Sequence, residues 1–428
     1  MSDQQLPPEL VRGLTMPRTS GTSRRRFLQL GGLAALGLPL AACSISGTGS
    51  TGGKVPGGLP NLVESRTQIA NFWAKQKKAG KLDFANWPLY IDVGKGSDHP
   101  SLDEFTKKTG IKVTYNEVIQ QDDSFYGKIS PLLGSGQGTG YDLMVITNGV
   151  FLDDLIERNW LIPLDQSAMP NFYANASDLV RDQSYDRGNV FTMAWQSGIT
   201  GIGYSKTRVG REITSWNDLL DPKLSGKIGM FGDNEDLPNS ALCAIGVNPE
   251  SSTPDDWQKA AAWLKKQRPL VRKYYEQDYV APLTRGDLYA SMAWSGDIFQ
   301  ANANGADLEF VVPEEGAPIW TDNMCIPLHA AHPRDAMIYM DYVYQPPVAA
   351  EIADYVNYIT PVPATQQIFA KDAQTATKAS DKAYYQNLST SPLVYPTASD
   401  EKRLHRYRVL DQAELKAWDQ LFVPIYQS

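Results

Sequence analysis

The sequence predicts an α/β protein built as two lobes behind an export signal. Three observations predict it. Short apolar runs alternate with amphipathic helical stretches from Leu82 onward, this alternation restarts after about residue 210, and a Gly/Ser/Thr-rich stretch separates it from the N-terminal region.

The first strand is Leu82-Asp83-Phe84-Ala85-Asn86-Trp87. A short helix over Ser101 to Lys108 follows, stopped by Gly110 as its C-terminal cap. Ile111 to Tyr115 alternates with period two, as a strand does, and Asp142 to Ile146 is a further apolar strand before a helix over Phe151 to Arg158. Strand, helix, strand, helix is the order of an open parallel sheet. The pattern then resumes with a short helix at Ser215 to Leu220 and a strand at Lys227 to Phe231. Thr253 caps a helix with Pro254 at its first position, running through Trp263 and Leu264. Ala290 to Trp294 and Leu308 to Val312 are strands, and a helix over Ala336 to Tyr344 resumes after Pro346-Pro347. Two α/β lobes fit this order better than one large sheet, and no repeat of fixed period is present.

The N-terminal region gives an address. Ser23-Arg24-Arg25-Arg26-Phe27-Leu28 precedes an apolar stretch ending at Leu40-Ala41-Ala42-Cys43. A basic region, a short apolar region and small residues before a cut form an export signal, and the pair Arg24-Arg25 reads as the twin-arginine variety. The apolar stretch is shorter than the about 20 residues that span a bilayer. Leu40 to Cys43 resembles a bacterial lipobox, in which Cys43 takes lipid and becomes the new N-terminus. Residues 1–42 are therefore expected to be a signal and 43–80 a lipidated cysteine, flexible tether and lead-in helix. Roughly 350 residues remain, enough for two domains with substantial cores.

The chain has 40 Lys and Arg against 48 Asp and Glu. Five of the arginines and only two of the acids precede Cys43, so the exported part has a net charge of −11. That argues against nucleic acid and favours a cationic ligand. Cys243 and Cys325 sit in apolar surroundings, which favours buried thiols over a disulfide, although a pair is permitted outside the cell.

Seven segments in order then carry a family resemblance: Asn86-Trp87-Pro88-Leu89-Tyr90, Tyr141 to Val145, Trp195 to Tyr204, Thr214 to Leu219, Ala293-Trp294-Ser295-Gly296, Pro313 to Gly316 with Trp320-Thr321-Asp322, and Tyr358-Ile359-Thr360-Pro361. Over about residues 80 to 365 the chain resembles the substrate-binding lipoproteins of polyamine ABC importers, the spermidine/putrescine type. The resemblance implies a two-lobed periplasmic-binding-protein fold of type II with hinge-linked, discontinuous lobes: 81–198 with 323–370, and 199–322 with 371–428. It implies a polyamine ligand, an ABC permease as partner, no cofactor, no metal and no catalysis.

A polyamine is an aliphatic rod with spaced positive charges, so it needs flat apolar walls and carboxylates. By family position the wall is Trp87, Tyr90, Trp294 and Trp320, and the acids are Asp233, Asp236 and Asp322. Thr147 and Asn148 stand where the family places a small hydroxyl residue. Asp297 is an additional acid three residues after Trp294. Trp216, Trp257 and Trp263 read as core. There are departures. Pro88-Leu89 replaces a hydroxyl and an acid, Gly149-Val150 stands where an aromatic is usual, and only Tyr407 and Gln412 are candidates for the family's C-terminal glutamine.

Asp233 and Asp236 as paired acids also fit a cleft glycoside hydrolase. The sequence has no Gly-x-Ser-x-Gly, no phosphate-binding glycine loop and no metal-spaced histidines, since His329 and His332 flank Ala-Ala and precede Pro333. A sugar cleft would want polar amides among its aromatics, and an anion site would want Arg or helix N-termini. Acids dominate instead, leaving another organic cation or small solute as the nearer alternative.

Overall fold

The computed structural model describes residues 66–94 and 98–427. Arg24, Arg25 and Cys43, and with them the expected signal and most of the tether, lie outside the described residues. Among the described residues no helix is long and apolar enough to cross a membrane.

Ten strands form the frame: β1 (Lys81–Asn86), β2 (Lys112–Glu117), β3 (Leu143–Thr147), β4 (Thr192–Tyr204), β5 (Ile228–Phe231), β6 (Val271–Tyr275), β7 (Ala290–Trp294), β8 (Glu309–Val311), β9 (Ala317–Cys325) and β10 (Leu404–His405). Their order is β2-β1-β3-β9-β4-β7-β5-β6, with β8 beside β4 and β10 beside β9. β1 is parallel to β2 and β3, and β5 is parallel to β6 and β7. Each half is thus the expected parallel α/β sheet.

Two long strands join the halves. β9 runs antiparallel between β3 and β4, pairing Thr147 with Asp322 and Met144 with Cys325. The far end of β4 pairs antiparallel with β7, setting Thr200 opposite Trp294. The lobes are therefore distinct in their helices and cores, yet hydrogen bonding runs unbroken from β2 to β6. The ladder shifts register between Ala194 and Gln196, and Ser197 forms an isolated bridge with Ile359. Two strands, β4 and β9, thus run side by side between the halves.

The local readings hold with small shifts. The helix Pro100–Thr109 ends at Gly110 in the left-handed region (φ 73°), where a side chain would strain the backbone. Thr253 closes a capping box on the helix Pro254–Gln267, and Ser215 does the same for a 3₁₀ turn at Trp216–Leu220. The strand expected to reach Trp87 stops at Asn86. The helix expected over 336–344 runs Pro333–Tyr342, before a second helix at Pro346–Val356.

In the core of the first half Tyr339 meets Phe105 edge to face, with centroids 5.1 Å apart, and lies tilted against Phe84 at 5.3 Å. In the second half Trp216, Trp257 and Trp263 are buried, as expected of core residues, and each indole N–H has a partner: the Gly316 carbonyl, Ser252 Oγ and Asn217 Oδ1. Trp418 and Phe422 of the helix Gln412–Gln427 return the C-terminal segment to this second core. Cys243 and Cys325 are buried free thiols.

Candidate functional site

The site lies where β1, β3, β5 and β7 end and β4 and β9 cross. Residues after parallel strands converge there because the carboxyl ends of such strands are left open by their connections.

Asp322 sits on β9 opposite Thr147 and is 5% exposed. Tyr90 donates its hydroxyl to Oδ2 at 2.6 Å, and Thr147 donates to Oδ1 at 2.7 Å. Burial raises Asp322 to about 6, against the pull of those two hydroxyls.

Asp236 is the first residue of the helix Asp236–Ala244 and is 5% exposed. Thr200 and Tyr407 donate to Oδ1, and the Trp294 indole donates to Oδ2 at 2.8 Å. Asp297, in the first turn of the helix Ser295–Ala303, accepts from Tyr279 and Tyr358, both at 2.7 Å. Burial raises both carboxyls, and in each the hydroxyl donors pull the other way.

The rings form a continuous wall between these acids. Trp294 meets Trp320 edge-on with centroids 6.3 Å apart, Trp320 meets Tyr358 at 5.4 Å, and Tyr358 meets Tyr90 at 5.9 Å. The Trp320 ring lies over Gly198, its cross-strand partner, where a Cβ would collide with it. Its indole donates to Thr200. Trp87 is half-buried, with its indole on the Val145 carbonyl at 3.2 Å.

The remaining expected residues are nearby in different settings. Asn148 accepts from the Thr321 amide, so it holds β3 to β9. Asp233 Oδ1 accepts the amides of Glu235, Asp236 and Leu237, capping the helix that presents Asp236. Burial first, then the Asp236 charge, raises it to about 7. Of the two C-terminal candidates, Tyr407 reaches Asp236, whereas Gln412 donates to Asp154 on the helix Val150–Glu157.

Sequence reasoning did not single out Thr200, Tyr279, Tyr358, Asp122 or Glu235 as site residues. Tyr358 had a signal, since it opens the last matching segment. Glu235 stood inside the Asp-Asn-Glu-Asp turn.

Asp122, Asp233, Glu235, Asp236, Asp297 and Asp322 all have carboxyls raised by burial. The ion pairs formed among the described residues lie elsewhere. Buried acids without a basic partner are costly as anions, so this arrangement suits a bound cation. Away from it, Asp83, Asp142 and His332 place ligand atoms within 4.8 Å of one another. There His332 Nδ1 and its amide already bind Asp142, which also accepts the Asp83 amide.

The sequence profile of bacterial extracellular solute-binding proteins matches residues 101–383. The chain belongs to that family. This solute-binding protein is 28% identical over 310 residues to the spermidine/putrescine-binding periplasmic protein of Salmonella typhimurium, covering 72% of this chain and 84% of the other. It is 28% identical over 383 residues to the putrescine-binding periplasmic protein PotF of Escherichia coli, covering 84% and 96%. A solved structure of a spermidine/putrescine ABC transporter protein from Listeria monocytogenes superposes with a TM-score of 0.68 at 25% identity, over 81% of this chain and 99% of that one. The fold of the solute-binding protein is thus the two-lobed type II periplasmic-binding fold, and its family binds solutes for transporters rather than transforming them.

Proposed function

We propose that this protein captures a polyamine of the putrescine/spermidine kind between its lobes, outside the cytoplasm, and delivers it to an ABC permease. One observation carries the reading: buried carboxylates with no basic partner face a continuous wall of aromatic rings. The wall accepts methylenes, at roughly 0.8 kcal/mol per buried CH₂. Ring faces attract the ammonium groups by about 0.5–2 kcal/mol each. Charge-assisted hydrogen bonds to Asp322, Asp236 and Asp297 add around 1.5–3 kcal/mol each. Micromolar binding needs only about 8 kcal/mol net, so a few such contacts suffice after ordering costs. The names of the relatives support the same ligand class.

In this reading Trp87, Tyr90, Trp294 and Trp320 line the ligand, with Thr147, Asn148 and Asp233 orienting the acids. Residues 81–198 with 323–370 form one lobe and 199–322 with 371–428 the other, closing about β4 and β9. Export runs through Arg24 and Arg25, and lipid on Cys43 tethers the protein to the outer face of the cytoplasmic membrane.

A thermal-shift screen against putrescine, spermidine, spermine, choline, thiamine and sugars tests the ligand class. Ligand at a hundredfold excess over Kd stabilises by about 2.7 kcal/mol. Stabilisation by the polyamines alone is expected, and stabilisation by a sugar with none by any amine would overturn the reading.

A further inference from the structure

The helix Pro346–Val356 ends at Asn357, which is in the left-handed region (φ 59°) and 5% exposed. Asn adopts that conformation more readily than most residues because its side chain can bond locally. Here the side-chain amide donates to the Asp354 carbonyl and to the Tyr384 hydroxyl, both at 2.9 Å. The Tyr384 hydroxyl in turn donates to the same Asp354 carbonyl at 2.6 Å. The next residue in the chain is Tyr358, whose ring belongs to the wall and whose hydroxyl donates to Asp297. Beyond it, Ile359 exchanges both backbone hydrogen bonds with Ser197 at 2.9 Å. Tyr358 is thus anchored on either side, and its ring lies on Gly296, where a Cβ would collide with it.

Tyr384 comes from a helical hairpin, Thr365–Thr375 and Ala379–Thr390. Phe369 and Leu388 of the hairpin form a small core with Ala350 and Ala353, from the helix that ends at Asn357, and with Phe299. Phe299 belongs to the helix Ser295–Ala303, which carries Asp297 in its first turn. Gln300 of that helix also donates to the Val356 carbonyl at 2.7 Å. The hairpin therefore grips the two helices whose ends deliver Tyr358 and Asp297.

We propose that Asn357 and Tyr384 are positioning residues for amine binding: they set the direction in which Tyr358 leaves its helix, and so hold its ring in the wall and its hydroxyl on Asp297. A binding contact has to be held to within about 0.5 Å, which takes side chains locked by hydrogen bonds behind the ones that meet the ligand. Asn357 supplies the left-handed turn and Tyr384 locks its amide. Both act on the amine only through Tyr358. The role rests on the polyamine reading above.

Calorimetric titration of the purified full chain with putrescine and with spermidine tests it, with denaturant melts of the same variants. Tyr384→Phe removes one hydroxyl and is expected to weaken both amines roughly threefold. Asn357→Gly keeps the left-handed turn but loses the amide, and should match it. Asn357→Ala disfavours the turn as well and is expected to weaken both amines roughly tenfold. In a Tyr358→Ala background each of these changes should alter affinity by less than about twofold, while its effect on stability persists. A merely structural role would give the stability loss with no such dependence on Tyr358. Should Asn357→Ala fail to fold, Asn357→Gly and Tyr384→Phe give the readout. If those two bind both amines like the parent, or if their losses are as large without the Tyr358 ring, the positioning role is wrong and the polyamine reading stands. A parent that binds neither amine overturns the polyamine reading and the positioning role with it.

Discussion

The hydroxyl of Tyr407 donates to Oδ1 of Asp236 at 2.6 Å across 171 residues of chain. The returning C-terminal segment thereby helps orient a carboxylate that the helix after β5 presents. Thr200 and Trp294 supply the other two donors, from β4 and β7. Three separate strands or segments must be in place before this acid is held.

Removing that hydroxyl isolates its contribution. Tyr407→Phe keeps the ring and takes away one donor that favours the ionised carboxylate. Polyamine affinity is expected to fall by about 1 kcal/mol, roughly fivefold. The acidic limb of the affinity-against-pH curve should move to higher pH. Calorimetry at several pH values checks both, and an unmoved curve would show that Tyr407 has no effect on the acid's ionisation.

Asp322→Asn should weaken amine binding by about 1.5–3 kcal/mol, or ten- to a hundredfold. Trp320→Ala should weaken it through lost wall area and cation–π contact. Since both would act on neighbouring parts of one ligand, their effects should not add. Trp257→Ala, which removes a side chain 2% exposed in the second core, should lower stability by about 3–5 kcal/mol without changing affinity in the folded fraction. Titrations of the single and double variants, with denaturant melts, separate these cases.

Affinity should fall as the pH drops through about 6, the value to which burial raises Asp322. Protons then compete with the amine for the carboxylate. The stability of the amine-free protein should respond in the opposite sense. An unfolded Asp titrates near 3.9, about two units lower, so the stability this group contributes is fully present below that value and is lost as pH rises through about 6. Melting the protein with and without amine from pH 5 to 8 should show the gap between the two widening with pH.

Gly149→Ala places a methyl against Glu235 Oε1 at a backbone conformation that disfavours side chains. A loss of about 1–3 kcal/mol in stability is expected. A further substitution, Glu235→Ala, should recover part of it by removing the collision. Denaturant melts of the three variants measure this, and a double variant no more stable than Gly149→Ala alone would place the cost in the backbone.

Cys43→Ala should release the protein from membranes or leave it as precursor, and Lys in place of both Arg24 and Arg25 should block export. Fractionation of producing cells reads both outcomes. A Cys43 variant still bound to membranes would count against lipidation there.

The elements legible in the sequence were those whose cues are local. Gly110 ends one helix and Thr253 with Pro254 starts another through contacts within a few residues. The parallel strands at 143–147 and 290–294 announce themselves as apolar runs. β4 and β9 did not. Both are buried along their whole length, so neither alternates, and each carries polar residues that a strand pattern does not favour. Thr200 and Asp322 are tolerated there because their partners, Asp236 and Trp320 for one and Tyr90 and Thr147 for the other, arrive from elsewhere. The same division holds at the site. The family resemblance pointed to the aromatic wall and to Asp233, Asp236 and Asp322, with Asp297 noted as an additional acid, and a cationic rod gives the physical reason for flat rings and acids. Only the tertiary structure decided that Asp233 caps a helix while Asp236 accepts from the Trp294 indole, and that Tyr407 reaches Asp236 while Gln412 reaches Asp154. Those pairings depend on which strand ends the crossing of β4 and β9 brings together, and distance in space is not written in spacing along the chain.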